Sequence, residues 1–169
     1  MTLAPDLYCG QTAVTIEHAK QLRNSMDREW VKQAIKAATA ALRQMPEVQS
    51  SLLGVIGYSL GAYYATWLAV NRPKDIGVVV LYYGAGSGNF SKSRASFLGH
   101  FAEQDPYEPT EYVRKFEQNL MSANREAIFY YYPETKHLFC EEDRPDAFKA
   151  AEAKLAGKLS VDFLKNRLT

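Results

Sequence analysis

Apolar positions along the chain change period several times, and each change predicts an element. Residues 1–16 follow no period, and Pro5 and Gly10 sit among polar neighbours, so an irregular start is expected. Thr15 to Met26 has room for a short helix. From Asp27, a suitable N-cap, the residues Trp30, Val31, Ala34, Ile35, Ala38, Ala41, Leu42 and Met45 recur at helical spacing. Glu29 lies in the first turn, where the helix dipole favours a carboxylate. This predicts one long amphipathic helix ended by Pro46. Leu52 to Gly57 is short and wholly apolar, the pattern of a strand buried on both faces. Leu60 to Val70 reads as a helix in which Gly61, Ala62 and Ala65 are small enough to lie close on a sheet. Ile76 to Tyr83 is the clearest strand, with Val78, Val79, Val80 and Leu81 unbroken. A loop over residues 84–89 follows, then a weaker strand from Ala95 to Phe101 that Gly99 interrupts. Pro106 and Pro109 break the chain before a helix marked by Tyr112, Val113, Phe116 and Leu120. Ala127 to Tyr132 is a strand rich in aromatics. Pro133 to Asp143 reads as loop. Ala147, Phe148, Ala151, Leu155, Leu159 and Phe163 close the chain as a helix with a break near Gly157.

After the first helices, strand and helix alternate to the end. That order argues an α/β fold of about four mainly parallel strands joined by right-handed crossovers. Ligands in such sheets bind at the carboxyl ends of the strands. A length of 169 residues suits a single domain, 1–169, with a real core. Apolar residues at 47% and charged ones at 23% exclude a disordered chain. A net charge of +1 without a basic run gives no reason to expect nucleic acid or an anionic membrane surface as partner. No signal peptide or long apolar span is visible. Cys9 and Cys140 make neither a disulfide framework nor a metal motif, so a reducing, cytoplasmic setting is the expectation.

The candidate chemistry centres on Gly57-Tyr58-Ser59-Leu60-Gly61, which joins the first strand to the helix after it. Strand, Gly-x-Ser-x-Gly, helix is the context of a nucleophile elbow. The serine must sit on a strained turn, and glycines two positions either side avoid collisions with strand and helix. The N–H of Leu60 would then lie at a helix N-terminus, where it favours an oxyanion. A serine hydroxyl needs a base, and the base needs an orienting acid. Of three histidines, His18 precedes the serine and His100 lies within a strand, where a structural role fits. His137 follows the last strand, at the catalytic edge. Asp105 follows the third strand, with Glu103 as competitor, whereas Asp75 precedes a strand and so lies at the wrong end. Tyr8, Tyr58, Tyr82 and Tyr83 fall near the same edge; Tyr8, Tyr58 and Tyr83 are the candidates for contact with substrate. Cys140 reads as a packed thiol. One histidine and scattered carboxylates do not suggest a metal site.

Several ordered segments together resemble the dienelactone hydrolase family of α/β-hydrolases. Ala4-Pro5-Asp6-Leu7-Tyr8 is similar to the family's segment after an early strand, and Gly57-Tyr58-Ser59-Leu60-Gly61-Ala62 to its elbow, Gly-Tyr-Cys-x-Gly-Gly. Leu81-Tyr82-Tyr83-Gly84 resembles the next strand end, and Glu103-Gln104-Asp105-Pro106 the acid loop. His137-Leu138-Phe139, Asp143-Arg144-Pro145 and the Ala-rich C-terminal segment resemble the family's histidine loop and last helix. The resemblance implies an α/β-hydrolase-like three-layer sandwich. It also implies a cofactor-free hydrolase of a small-molecule ester or lactone, with Ser59, Asp105 and His137 as triad and Leu60 N–H in the oxyanion hole. Serine in place of the family's usual cysteine points to general esterase chemistry.

Family members carry further strands before the Pro-Asp-Leu-Tyr segment, where this sequence begins. With them goes the loop that supplies a second oxyanion donor. The expectation is a start that is truncated or misassigned, or a homodimer that covers the exposed edge of the elbow strand. The rival functional expectation is a catalytically weak remnant of the fold that works by binding or association.

Overall fold

A computed structural model describes residues 1–168. Its contacts gather the chain into two compact units, Met1–Gln49 and Ser50–Thr169. In the first unit the Asp6 carboxylate accepts the N–H groups of Tyr8 and Gly10 and closes a turn. Thr15 caps helix α1 (Ile16–Ser25) by accepting the His18 N–H. Asp27 caps helix α2 (Arg28–Gln44) by accepting from Glu29 and Trp30, as its position before the periodic run implies. Val31, Ile35 and Thr39, spaced four apart, form the buried stripe of α2.

The second unit is built on four strands: β1 (Leu53–Tyr58), β2 (Ile76–Tyr82), β3 (Ser96–Gln104) and β4 (Ala127–Lys136). Every neighbouring pair is parallel and the order is β1-β2-β3-β4. Three helices complete it: α3 (Leu60–Asn71), α4 (Thr110–Ser122) and α5 (Ala150–Lys165). Alternation along the strands sends Val78, Val80, Tyr82 and Leu98 into one core with Ala156 and Phe163 of α5. The odd-numbered neighbours face the other way, where the Phe97 ring meets Phe116 of α4. The unit therefore has three layers, the α/β-hydrolase-like sandwich that the resemblance implied.

Three boundaries differ from the periodicity. Gly99 does not interrupt β3, because the rings of Phe101 and Phe129 lie over it and supply the packing that its missing side chain would have given. β4 runs on through Pro133 to Lys136, a stretch expected to be loop. Among the described strands β4 is an edge, and an edge tolerates a residue without N–H. Finally, α5 starts at Ala150, later than Ala147, and passes through Gly157 unbroken.

A buried polar network ties α5 to the sheet. His100 Nδ1 is 2.8 Å from the Tyr132 hydroxyl and Nε2 is 2.9 Å from Ser160 Oγ, which is 2.7 Å from the Tyr82 hydroxyl. Desolvation holds the His100 imidazole down at about 4, so it is neutral near pH 7. This is the structural histidine that its place within a strand suggested. The unfolded chain takes up a proton near 6.5, so between that value and about 4 the unfolded state binds more protons and stability falls with falling pH.

The turn that joins β1 to α3 is the strained point. Ser59 has φ +50°, and its N–H donates to Tyr82 O at 2.9 Å. A Cβ on Gly57 would sit 2.4 Å from Gly61 O and 2.6 Å from Ala62 N, both backbone atoms that cannot swing aside. Gly84, past the end of β2, is held equally close to Ser59 O, at 2.5 Å from where its Cβ would be.

Gly57→Ala is therefore expected to destabilise the protein by about 3 kcal/mol, read from urea denaturation. A variant as stable as the parent would show that the turn is not tightly packed. For His100→Gln, the stability difference from wild type should be level above pH 7. It should then shift in the variant's favour, by up to about 1.4 kcal/mol per pH unit, as pH falls from 6 towards 4.

Candidate active site

Parallel strands in register bring their carboxyl ends to one rim. Ser59 is the first residue past β1, Asp105 the first past β3 and His137 the first past β4. Ser59 Oγ lies 2.9 Å from His137 Nε2, and His137 Nδ1 lies 2.7 Å from Asp105 Oδ2. A carboxylate only accepts, so Nδ1 carries the proton and Nε2 is free to accept from the serine hydroxyl. Asp105 Oδ1 takes two further N–H groups, from Tyr107 at 2.9 Å and Glu108 at 3.1 Å. With its side chain 2% exposed, Asp105 is fixed in one orientation by three hydrogen bonds.

The histidine loop owes its shape to one anchor. Phe139, fully buried, packs on Tyr132 and Tyr83. Leu138 takes φ +68°, and the Glu141 N–H returns to Leu138 O at 2.9 Å. Chain direction thus reverses directly after His137. Its ring stands between those of Tyr83 and Tyr107, at 5.1 and 5.0 Å. Leu60 is the first residue of α3, so its N–H has no acceptor within the helix and lies beside Ser59.

Two other carboxylates fall elsewhere. Glu103 is exposed and accepts the Glu134 N–H at 2.9 Å, which holds a kink in β4 instead of His137. Asp75 pairs with Arg72 at the opposite end of β2. Tyr58, half exposed, stacks on Tyr82 at 4.6 Å. Tyr83 is fully buried and donates its hydroxyl to Glu141; burial and that carboxylate drive its acidity well down, so it stays a neutral phenol. Tyr8 lies in the first unit, within the turn closed by Asp6. Cys140 is pushed up to about 12 by burial and then by Glu141, so it remains a thiol. Beside Ser59's neighbour Tyr58 opens a cleft of about 590 Å³, whose walls include Tyr82, Glu141, Phe148 and Lys154. No group of His, Cys, Asp and Glu among the described residues is arranged to hold a metal ion.

Two neighbours of the relay were not legible as such in the sequence. Tyr107 and Glu108 sit between Pro106 and Pro109, where the prolines signal only a turn. Glu108 is half-buried, and its Oε2 is shielded from solvent without a hydrogen-bond partner. Desolvation pushes its carboxyl up to about 7; Asp105 adds to the rise, while the Ala85 N–H and His137 oppose it.

Known proteins place this architecture. The dienelactone hydrolase family matches residues 1–168. "Protein usf" of Aquifex pyrophilus is 24% identical over 177 residues, spanning 100% of this chain and 76% of its own length. A putative dienelactone hydrolase from Klebsiella pneumoniae subsp. pneumoniae superposes with a TM-score of 0.80 at 21% identity, over 95% of this chain and 73% of the other. A dienelactone hydrolase-like promiscuous phosphotriesterase from metagenomic libraries gives 0.79 at 18% identity, over 93% and 69%. These two structures share its fold, and the family match runs almost from end to end: the chain belongs to the dienelactone hydrolase family and is a hydrolase with the α/β-hydrolase fold.

Proposed function

We propose that this hydrolase is a serine enzyme that cleaves a carboxylic ester or lactone through an acyl-enzyme. The observation that carries the reading is the hydrogen-bonded line Ser59–His137–Asp105 at the carboxyl ends of three parallel strands. Ser59 Oγ attacks the carbonyl carbon while its proton passes to His137 Nε2. Asp105 keeps the imidazole in the required tautomer and stabilises the imidazolium. The carbonyl oxygen becomes an oxyanion beside Leu60 N–H, at the positive end of the α3 dipole. Collapse of the tetrahedral adduct breaks the bond to the leaving oxygen, which takes the proton back from His137. Water, deprotonated by His137, then attacks the acyl group and frees Ser59. Each step uses only protein groups and water.

Tyr58 is the residue we assign to substrate contact, since it is half exposed and adjoins both Ser59 and the cleft. Tyr83 serves from beneath, as a buried rest for the His137 ring.

Hydrolysis of a small activated ester tests this. Ser59→Ala should lower kcat by at least ~10³ and abolish labelling by a fluorophosphonate probe; equal turnover by the two proteins would end the proposal. Asp105→Asn should lower kcat by ~10³–10⁴ with little change in KM, because the amide turns the imidazole to the wrong tautomer. A change confined to KM would instead assign Asp105 to binding.

A further inference from the structure

Glu108 is a carboxyl in a place that does not suit one. It sits three residues past Asp105 and gives its own N–H to that residue's Oδ1. Its side chain turns inward, where one oxygen meets the Ala85 N–H and the other is buried without a partner. An orphaned buried oxygen is uncommon in a native fold and asks for a functional reason. A simple tie to the Ala85 loop would be served as well by an amide, which puts no second acid next to the first.

The groups around it define what its charge would do. From its own loop it feels Asp105, from the loop after β4 it feels His137, and from α4 it faces Tyr112, which in turn lies near Tyr63 of α3. Two of these four are the acid and base of the proposed relay. A negative charge at Glu108 repels Asp105 and attracts a proton held on His137. That attraction is strongest when His137 is an imidazolium, as it becomes on accepting the Ser59 proton.

We propose that Glu108 is a positioning residue of the relay: a second carboxyl on the acid loop that, when ionised, stabilises the imidazolium formed during acyl transfer. It touches neither substrate nor the reacting atoms and acts on the reaction through His137. The proposal rests on the serine hydrolase reading. It makes the reaction respond to the ionisation of a group outside the triad, which the triad alone would not predict.

Glu108→Gln mimics the protonated side chain and keeps an oxygen for Ala85 N–H, so it separates charge from shape. The ratio of kcat/KM between wild type and this variant should be pH-dependent. The gap should close below pH 6, where wild-type Glu108 carries its own proton, and open to roughly threefold to tenfold above pH 8. Glu108→Asp, which retains a charge, should restore part of the alkaline advantage. A ratio that stays level from pH 5 to 9, or that falls as pH rises, overturns the proposal and leaves Glu108 a structural residue.

Carbon-13 NMR of the Glu108 carboxyl reads the coupling without turnover, and so separates this proposal from the hydrolytic one. The midpoint should lie near pH 7 and move down in Asp105→Asn. An ordinary glutamate midpoint, or one unmoved by that substitution, would sink the coupling whether or not Ser59 is reactive. The expected shift in a protein with an inert Ser59 would remove the hydrolytic reading and sustain the coupling.

Discussion

The constraint on which everything else depends is parallel pairing in register. Backbone hydrogen bonds of the ladder are indifferent to side-chain chemistry, yet they decide that the last residues of β1, β3 and β4 end on the same side of the unit. Nucleophile, acid and base are each one residue beyond such an end, separated by 46 and 32 positions of chain (59 to 105, then 105 to 137). No local signal could bring them together. An antiparallel neighbour for any of the three strands would have sent its residue to the opposite rim.

Strain and support divide the work at that rim. The elbow holds Ser59 in a backbone conformation that costs about 1–3 kcal/mol, and the close approach of Gly57 and Gly84 to neighbouring backbone leaves no easier arrangement. His137 is treated differently: it is held by surfaces, with a tyrosine ring on each side and Phe139 rooted in the core just after it. Asp105 is held by hydrogen bonds. Three modes of fixation, backbone, packing and polar, converge on a line of two hydrogen bonds of 2.9 and 2.7 Å.

Much of this was readable from residue order. The apolar run Val78 to Leu81 announces a buried strand, whereas Leu52 to Gly57, expected to be buried on both faces, leaves Ile56 exposed; Gly-Tyr-Ser-Leu-Gly after an apolar run announces the turn that holds the serine. The readings that slipped were those in which tertiary contacts override local chemistry. Pro133 and the polar residues after it resemble loop, and only the ladder with β3 makes them strand. Gly99 weakens a strand in isolation but not beneath two phenylalanine rings. Gly157 is tolerated because packing of the rest of α5, not propensity, sustains the helix. Glu108 was invisible for a further reason: a glutamate between prolines reads as solvated, and its burial comes from how the acid loop folds onto Ala85.

The kink near the end of β4 has a consequence for how this surface meets other polypeptides. Pro133 offers no amide, Glu134 takes φ +54°, and the Glu134 amide is already engaged by the Glu103 side chain. An incoming extended segment that tried to continue the sheet beyond β4 would find a regular template only as far as Tyr132. The stretch leading to His137 is thus a poor template for annealing to a neighbouring strand.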